Sequence, residues 1–158
     1  MKLNTIGNTF AIAVAALALA TSPSAHAADK VCSNASLKGT FAYTNTGFLT
    51  APPAQAGPFA GVGRQSFDGN GAISGTAWVS QNGNIFQITI SGTYSVNPDC
   101  TGTFTLTVSI VNPPMTLPTG QSFVVIADDG AEFQAINTDP SGQVVTTVGR
   151  KQFSGWGR

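Results

Sequence analysis

Alternation of apolar and polar residues at every second position most constrains how this chain can fold. The pattern is clearest between Thr103 and Val111, where one set of alternate positions is apolar and the other carries hydroxyl groups. Successive side chains of a β-strand point to opposite faces, so this segment forms a strand with one apolar and one polar face. No helical periodicity accompanies it after residue 27. The sequence therefore predicts an all-β fold.

About eight segments share this pattern, and turn-forming residues separate them. Asn82-Gly83, for example, supplies the positive φ angles that tight antiparallel hairpins require. Consecutive strands are therefore predicted to be antiparallel neighbours. The predicted strands are approximately Leu37–Thr44, Phe59–Phe67, Ala72–Ser80, Ile85–Val96, Thr103–Val111, Ser122–Asp128, Glu132–Thr138 and Gln143–Phe153.

A serial arrangement of about eight strands has two exposed edges unless it closes on itself. Closure into an up-and-down barrel removes both edges, so a single antiparallel barrel is the preferred fold. A two-sheet β-sandwich is the alternative, because the longer connections Asn45–Pro58 and Asn112–Gly120 could carry the chain between sheets. Glycines inside strands, such as Gly92 and Gly102, are interpreted as bulges or bends of the barrel wall.

The alternation also predicts which side chains face the interior. Burying four apolar side chains of the strand around Thr105 is worth roughly 1.5–3 kcal/mol each, whereas the hydroxyl groups opposite them would need partners inside. Large phenylalanine side chains could fill the barrel or leave space for one ligand. The predicted inward residues are Phe104, Leu106, Val108 and Ile110, with Phe86, Ile88 and Ile90 on the preceding strand, and the possible fillers are Phe86, Phe104, Phe123 and Phe133.

The N-terminal residues have the features of a cleavable signal peptide. Lys2 precedes an apolar run from Phe10 to Ala20, and Ala25-His26-Ala27 fits a signal-peptidase site. The run is too short to span a membrane as a helix. We expect residues 1–27 to be removed and residues 28–158 to form one domain, located in the periplasm or outside the cell.

The cysteine and histidine content limits the possible chemistry. His26 is the only histidine and lies in the predicted signal peptide, so the mature chain is expected to lack histidine catalysis and imidazole metal sites. Cys32 and Cys100 are the only cysteines and are predicted to pair in an oxidising compartment. We therefore predict no catalytic residue, no metal and no cofactor.

Charged residues are few, and their signs balance. Seven basic and seven acidic side chains give the chain no net charge, and only Arg150, Lys151 and Arg158 approach a basic cluster. Nucleic-acid binding requires a larger basic surface, so it is not expected. The sequence leaves the oligomeric state open.

Acidic residues suggest two cation sites, each with a simpler interpretation. Asp68-Gly69-Asn70-Gly71 begins like a calcium loop but lacks the later ligands, so a hairpin turn is favoured. Asp128, Asp129 and Glu132 could bind a cation or supply an acid–base group, although charges beside a turn are usually solvated.

Proline-rich connections and one tryptophan are further candidates for binding. The connections containing Pro52-Pro53 and Pro113-Pro114 could shape a ligand entrance or could only stiffen long loops. Trp78 could stack on a sugar or a partner if it faces outward, and alternation alone leaves its direction open. Trp156 could close one end of the barrel.

Four segments stand out as a set: Cys32–Phe41, Phe67–Gly71, Gly92–Tyr94 and Asn97–Thr103. Together they resemble a group of small exported bacterial all-β proteins. The resemblance rests on turns and cysteines, so it implies compartment and fold rather than activity. By size and strand count the domain is also similar to lipocalin and allene oxide cyclase barrels, which hold apolar ligands or cyclise lipid-derived substrates, although it lacks the lipocalin Gly-x-Trp signature.

Three functions are consistent with these features. The first is an exported non-enzymatic module that binds a small apolar ligand in or at the mouth of the barrel, by residues that the sequence does not identify. The second is an isomerase or cyclase that holds a reactive substrate in one shape, with Glu132 as the candidate carboxyl group. The third is a structural or adhesive surface protein.

Overall fold

Nine β-strands form the fold in a computed structural model that describes residues 31–152 except 52, 54 and 55. Two short 3-10 turns, Asn34–Leu37 and Asp128–Gly130, accompany the strands. The strands are β1 Gly39–Leu49, β2 Gly57–Phe67, β3 Ala72–Gln81, β4 Asn84–Val96, β5 Thr101–Ile110, β6 Met115–Thr116, β7 Gly120–Ala127, β8 Glu132–Asp139 and β9 Gln143–Lys151.

Eight of these strands close into an antiparallel barrel, which confirms the preferred fold. Each strand pairs with the next along the chain, except that β5 pairs with β7, and β9 returns to pair with β1. The two-residue strand β6 pairs with the end of β5 and lies outside the closed barrel. The sandwich alternative is therefore wrong.

Most strand bounds differ from the predicted ones by one or two residues, and larger differences occur in two places. The first strand extends to Leu49, because Asn45 and Gly47 continue to pair with β2 and β9 although they interrupt the apolar pattern. The predicted connection 112–120 contains β6, which is too short to show alternation. The predicted signal peptide and Trp156 lie outside the described residues.

The predicted interior of β4 and β5 is confirmed. Phe104, Ile88 and Ile90 are buried. The other predicted members are partly buried and pack against the same core: Phe86, Leu106, Val108 and Ile110. The threonine face of β5 points outward.

Phe123 was wrongly included among the possible interior fillers. Its strand buries Ser122, Val124 and Ile126, and Phe123 lies on the opposite face with 45% of its surface exposed. Both faces of β7 carry apolar side chains, so alternation does not identify the inner face. The register of the β7–β8 pair also shifts between Gln121 and Ser122, which further obscures the pattern.

The strand glycines Gly92 and Gly102 permit close approach of neighbouring strands. A side chain at Gly92 would overlap the carbonyl oxygen of Thr105, and one at Gly102 would overlap that of Ser95. The pairing of β4 with β5 runs through both positions without a register shift, so neither glycine marks a bulge, and the interpretation as bends stays a prediction.

An aromatic cluster fills the half of the barrel next to the disulfide. The Phe67 ring is central: its centroid lies 5.3 Å from that of Phe41, 5.1 Å from Tyr94, 5.4 Å from Phe104 and 5.7 Å from Phe133. Most of these contacts are edge-to-face, the arrangement that aromatic rings prefer. We call this half the disulfide end and the opposite half, which contains the β3–β4 turn, the distal end.

The N-terminal segment seals the disulfide end. Leu37 is completely buried beneath the aromatic cluster. Asn34 accepts a hydrogen bond from the Tyr94 hydroxyl through its backbone carbonyl and one from the Val96 N–H through its side chain. The Cys32–Cys100 disulfide, with Cα atoms 5.0 Å apart, joins this segment to the β4–β5 turn. The predicted pairing is confirmed.

The turn at Asp68 uses its carboxylate as a structural acceptor. Oδ1 of Asp68 accepts hydrogen bonds from the N–H groups of Asn70, Gly71 and Ala72 at 2.7–2.9 Å. These bonds, that from Asn70 foremost, lower the pKa of Asp68. The favoured interpretation as a hairpin turn is therefore correct.

Removal of the disulfide should destabilise the protein considerably. The bridge connects residues separated by 68 positions, for which chain entropy predicts a loss of about 4 kcal/mol in the free energy of unfolding. We expect this loss in urea unfolding of a Cys32→Ala, Cys100→Ala double variant. Reductant should destabilise the native chain but leave the double variant unchanged, and equal effects on both would contradict the prediction.

Acid should weaken the β2–β3 turn through Asp68. Because its pKa is lower in the folded state, the carboxylate stabilises the fold above its unfolded pKa, and this contribution is lost as the pH falls through the folded pKa. Asp68→Asn keeps an acceptor oxygen but removes the titration. The variant should lose less stability than the native chain between pH 7 and pH 3 in thermal melts, whereas Asp139→Asn, outside this turn, should follow the native chain.

Candidate functional site

Five inward-facing apolar side chains at the distal end are only half-buried. β7 begins at Gly120, opposite Leu106, so the following residues of β5 have β4 on one side and only the two-residue β6 on the other. The barrel wall is incomplete there, and the side chains that line it keep part of their surface exposed. These side chains are Phe59, Phe86, Leu106, Val108 and Ile110.

A short chain of polar side chains lies beside this apolar surface and is internally satisfied. The Ser122 hydroxyl donates to Oδ1 of Asn137 at 3.1 Å, and Nδ2 of Asn137 donates to Oε1 of Gln143 at 2.7 Å. The three residues come from β7, β8 and the start of β9. Their mutual bonds explain how Ser122 can be buried without destabilising the wall.

A second polar group, which we call the inner polar group, lies in the middle of the barrel without such partners. It consists of Tyr43, Asn45 and Gln65, and Tyr43 and Gln65 expose only 3% and 4% of their surfaces. The Tyr43 hydroxyl, the Asn45 Oδ1 and the Gln65 Oε1 have no hydrogen-bond partner in the described part of the chain. Burial raises the pKa of Tyr43 to about 12, so its hydroxyl is protonated at neutral pH.

Backbone register places Tyr43 next to each of the other two residues, whereas Asn45 pairs with Gly61 and is not a neighbour of Gln65. Tyr43 and Asn45 occupy alternate positions of β1, and Gln65 of β2 pairs with Phe41, which places it diagonally across from Tyr43. Glycines stand directly opposite the two β1 residues: Gly63 faces Tyr43 and Gly61 faces Asn45. The adjacent strand thus offers these polar groups no side-chain partner.

Sequence reasoning missed the inner polar group. Its signal is the inward row Phe41, Tyr43, Asn45, which becomes visible only when β1 is extended beyond Thr44. Gln65 stands among polar and glycine residues, so its burial follows from the register with β1 and β3 rather than from alternation.

Glu132 lies on the outer face and does not supply an interior acid–base group. Its carboxylate accepts hydrogen bonds from Gln134 at 3.2 Å and from Nε of Arg150 at 2.9 Å. These two bonds lower its pKa, the opposite of what an interior proton donor requires. Asp128 and Asp129 lie in the adjoining 3-10 turn. Among the described residues, no three histidine, cysteine or acidic side chains are grouped closely enough to hold a metal ion.

Trp78 faces outward with 56% of its surface exposed, which resolves the direction that the sequence left open. It borders a shallow depression of about 210 Å³ on the outer wall. The floor is the Gly63–Ala77 pair, and the rim is formed by the side chains of Val62, Arg64, Thr76, Trp78 and Gln87.

The two proline-rich connections lie at the same end of the barrel. Pro113 and Pro114 are exposed before β6. Pro52 lies outside the described residues. Both connections join strands at the distal end, because they follow Leu49 of β1 and Ile110 of β5.

No helix in the described part of the chain is long and apolar enough to cross a membrane.

Comparison of the chain with family models, curated proteins and solved structures gives no match. The structure shows a closed eight-stranded antiparallel barrel, whereas a relationship to lipocalin or allene oxide cyclase barrels is not shown. Any functional argument must rest on the side chains of this barrel.

Burial of Tyr43 gives a spectroscopic prediction. The chain has two tyrosines, and we expect one of them to ionise only near pH 12 when absorbance at 295 nm is followed during alkaline titration. Tyr43→Phe should remove this step. Because the unfolded group ionises near pH 10, its contribution to stability is lost as the pH rises from about 10 to 12. A normal titration of both tyrosines would show that the Tyr43 hydroxyl is not buried.

Proposed function

We propose that this protein is an exported, non-enzymatic module that binds one small apolar ligand through the distal end of its barrel. The observation that supports the proposal is the half-burial of five inward-facing apolar side chains at that end. The disulfide end, by contrast, is sealed by Leu37 and the aromatic cluster.

The physical argument concerns apolar surface left in contact with water. Each Å² of apolar surface removed from water is worth about 25 cal/mol. A ligand that covers these side chains removes their exposed surface from water, and this burial stabilises the complex. Ligand sites commonly occur at the mouths of β-barrels. The gap between β5 and the start of β7 supplies an entrance of this kind.

Export is the part of the proposal that concerns location. The Cys32–Cys100 disulfide indicates an oxidising compartment, which is consistent with the periplasm or the cell exterior.

The cyclase alternative has lost its candidate carboxyl group, because Glu132 lies on the outer face and pairs with Arg150. Ligand binding is therefore the function that the geometry supports best.

Native mass spectrometry of protein purified from its own host, with and without added lipid extract, tests the proposal directly. We expect a bound species at one ligand per chain. Displacement of the neutral fluorescent probe N-phenyl-1-naphthylamine by the same extract would identify apolar binding in solution. Absence of both a bound species and probe binding would refute the proposal.

A substitution that fills the distal end should weaken binding. Val108→Trp places a large ring among the half-buried side chains, so we expect at least a tenfold loss of affinity for the probe in fluorescence titrations. Val125→Trp is the matched control, because Val125 lies on the outer face with 43% of its surface exposed. Equal losses in the two variants would place the probe on the outer wall instead.

A further inference from the structure

The inner polar group requires partners that the described chain does not supply. Buried side-chain oxygens are almost always hydrogen-bonded, and a buried group without a partner requires an explanation. The Ser122–Asn137–Gln143 chain shows that this barrel satisfies interior polar groups elsewhere. Two of the unpartnered atoms belong to diagonal neighbours, Tyr43 and Gln65, and therefore point to a molecule that binds between them.

The position of the group defines how such a molecule would lie. Phe41 belongs to the aromatic cluster. It precedes Tyr43 along β1 and pairs with Gln65, so the cluster adjoins these two polar residues on the side of the disulfide end. On the other side lie the half-buried apolar side chains, including Phe59 on β2. A molecule that enters from the distal end passes apolar surface first and reaches the polar oxygens last.

The chemistry of the group selects the kind of polar atom that it would bind. The unpartnered atoms of Asn45 and Gln65 are amide oxygens, which accept hydrogen bonds, and the Tyr43 hydroxyl can donate or accept. All three side chains are neutral. They therefore suit a neutral group that carries an O–H or N–H donor, whereas a charged head would lose its hydration without a counter-charge.

We propose that the ligand is amphipathic and that a neutral group at its leading end donates a hydrogen bond to Oε1 of Gln65 and accepts one from the Tyr43 hydroxyl. Its apolar remainder then covers the half-buried side chains of the distal end. This inference rests on the proposed function and specifies the ligand as an alcohol or amide with an aliphatic or aromatic tail.

A pair of ligands that differ only in the donor tests the inference. We would measure the affinities of 1-decanol and decyl methyl ether by displacement of N-phenyl-1-naphthylamine. The native protein should bind the alcohol about tenfold more tightly, the effect expected of one buried hydrogen bond. Gln65→Met, which keeps the length of the side chain, should reduce this preference to about twofold or less.

Control variants separate this effect from general damage to the barrel. Gln87→Met makes the same substitution on the outer face and should retain the tenfold preference. Thermal unfolding would establish that each variant is folded. If Gln65→Met does not fold, Tyr43→Phe provides the same comparison, because it removes a different member of the group.

The outcomes distinguish the inference from the proposed function. Tight binding of both ligands without preference for the alcohol would overturn the inference and leave the proposed function standing, with bound water as the partner of the three oxygens. Binding of neither ligand and no binding of the probe would overturn both. A preference that survives Gln65→Met and Tyr43→Phe would also reject the inference.

Discussion

The pairing of β1 with β9 is the contact on which the rest of the structure depends. It runs from Phe41 opposite Lys151 to Leu49 opposite Gln143 and turns a serial sheet into a closed barrel. Closure gives every strand an inner face and an outer face, and an eight-stranded barrel has an interior just wide enough for side chains. The aromatic cluster, the inner polar group and the distal apolar surface all exist because that interior is enclosed.

The interior is divided along the barrel axis. At the disulfide end, Leu37 and the rings around Phe67 belong to one packed core, and this packing stabilises the fold. Farther along, Tyr43 and Gln65 introduce buried polar atoms that make the core less stable than an apolar one. Beyond them the wall is incomplete beside β5. Stability and the proposed binding therefore depend on different parts of one barrel.

The parts of the fold that could be predicted are those in which neighbouring residues contrast strongly. Phe104 alternates with threonines, so its direction could be predicted from the local sequence. The Asn82-Gly83 turn could be predicted because Asn and Gly tolerate the positive φ angles that the turn has. β7 has apolar side chains on both faces, and the direction of Phe123 could not be derived from them. Gln65 is buried because its register with β1 places it there, and register is a property of the paired strands.

Closure by β9 also determines the order in which the protein can fold. Thr44 and Val148 are paired, although about a hundred residues separate them along the chain. Such contacts cost more loop entropy than the hairpins between consecutive strands, so they form late. Until the last strand arrives, β1 has a free edge that can pair with another chain. The interval before closure is thus the period in which a newly made molecule is most exposed to aggregation.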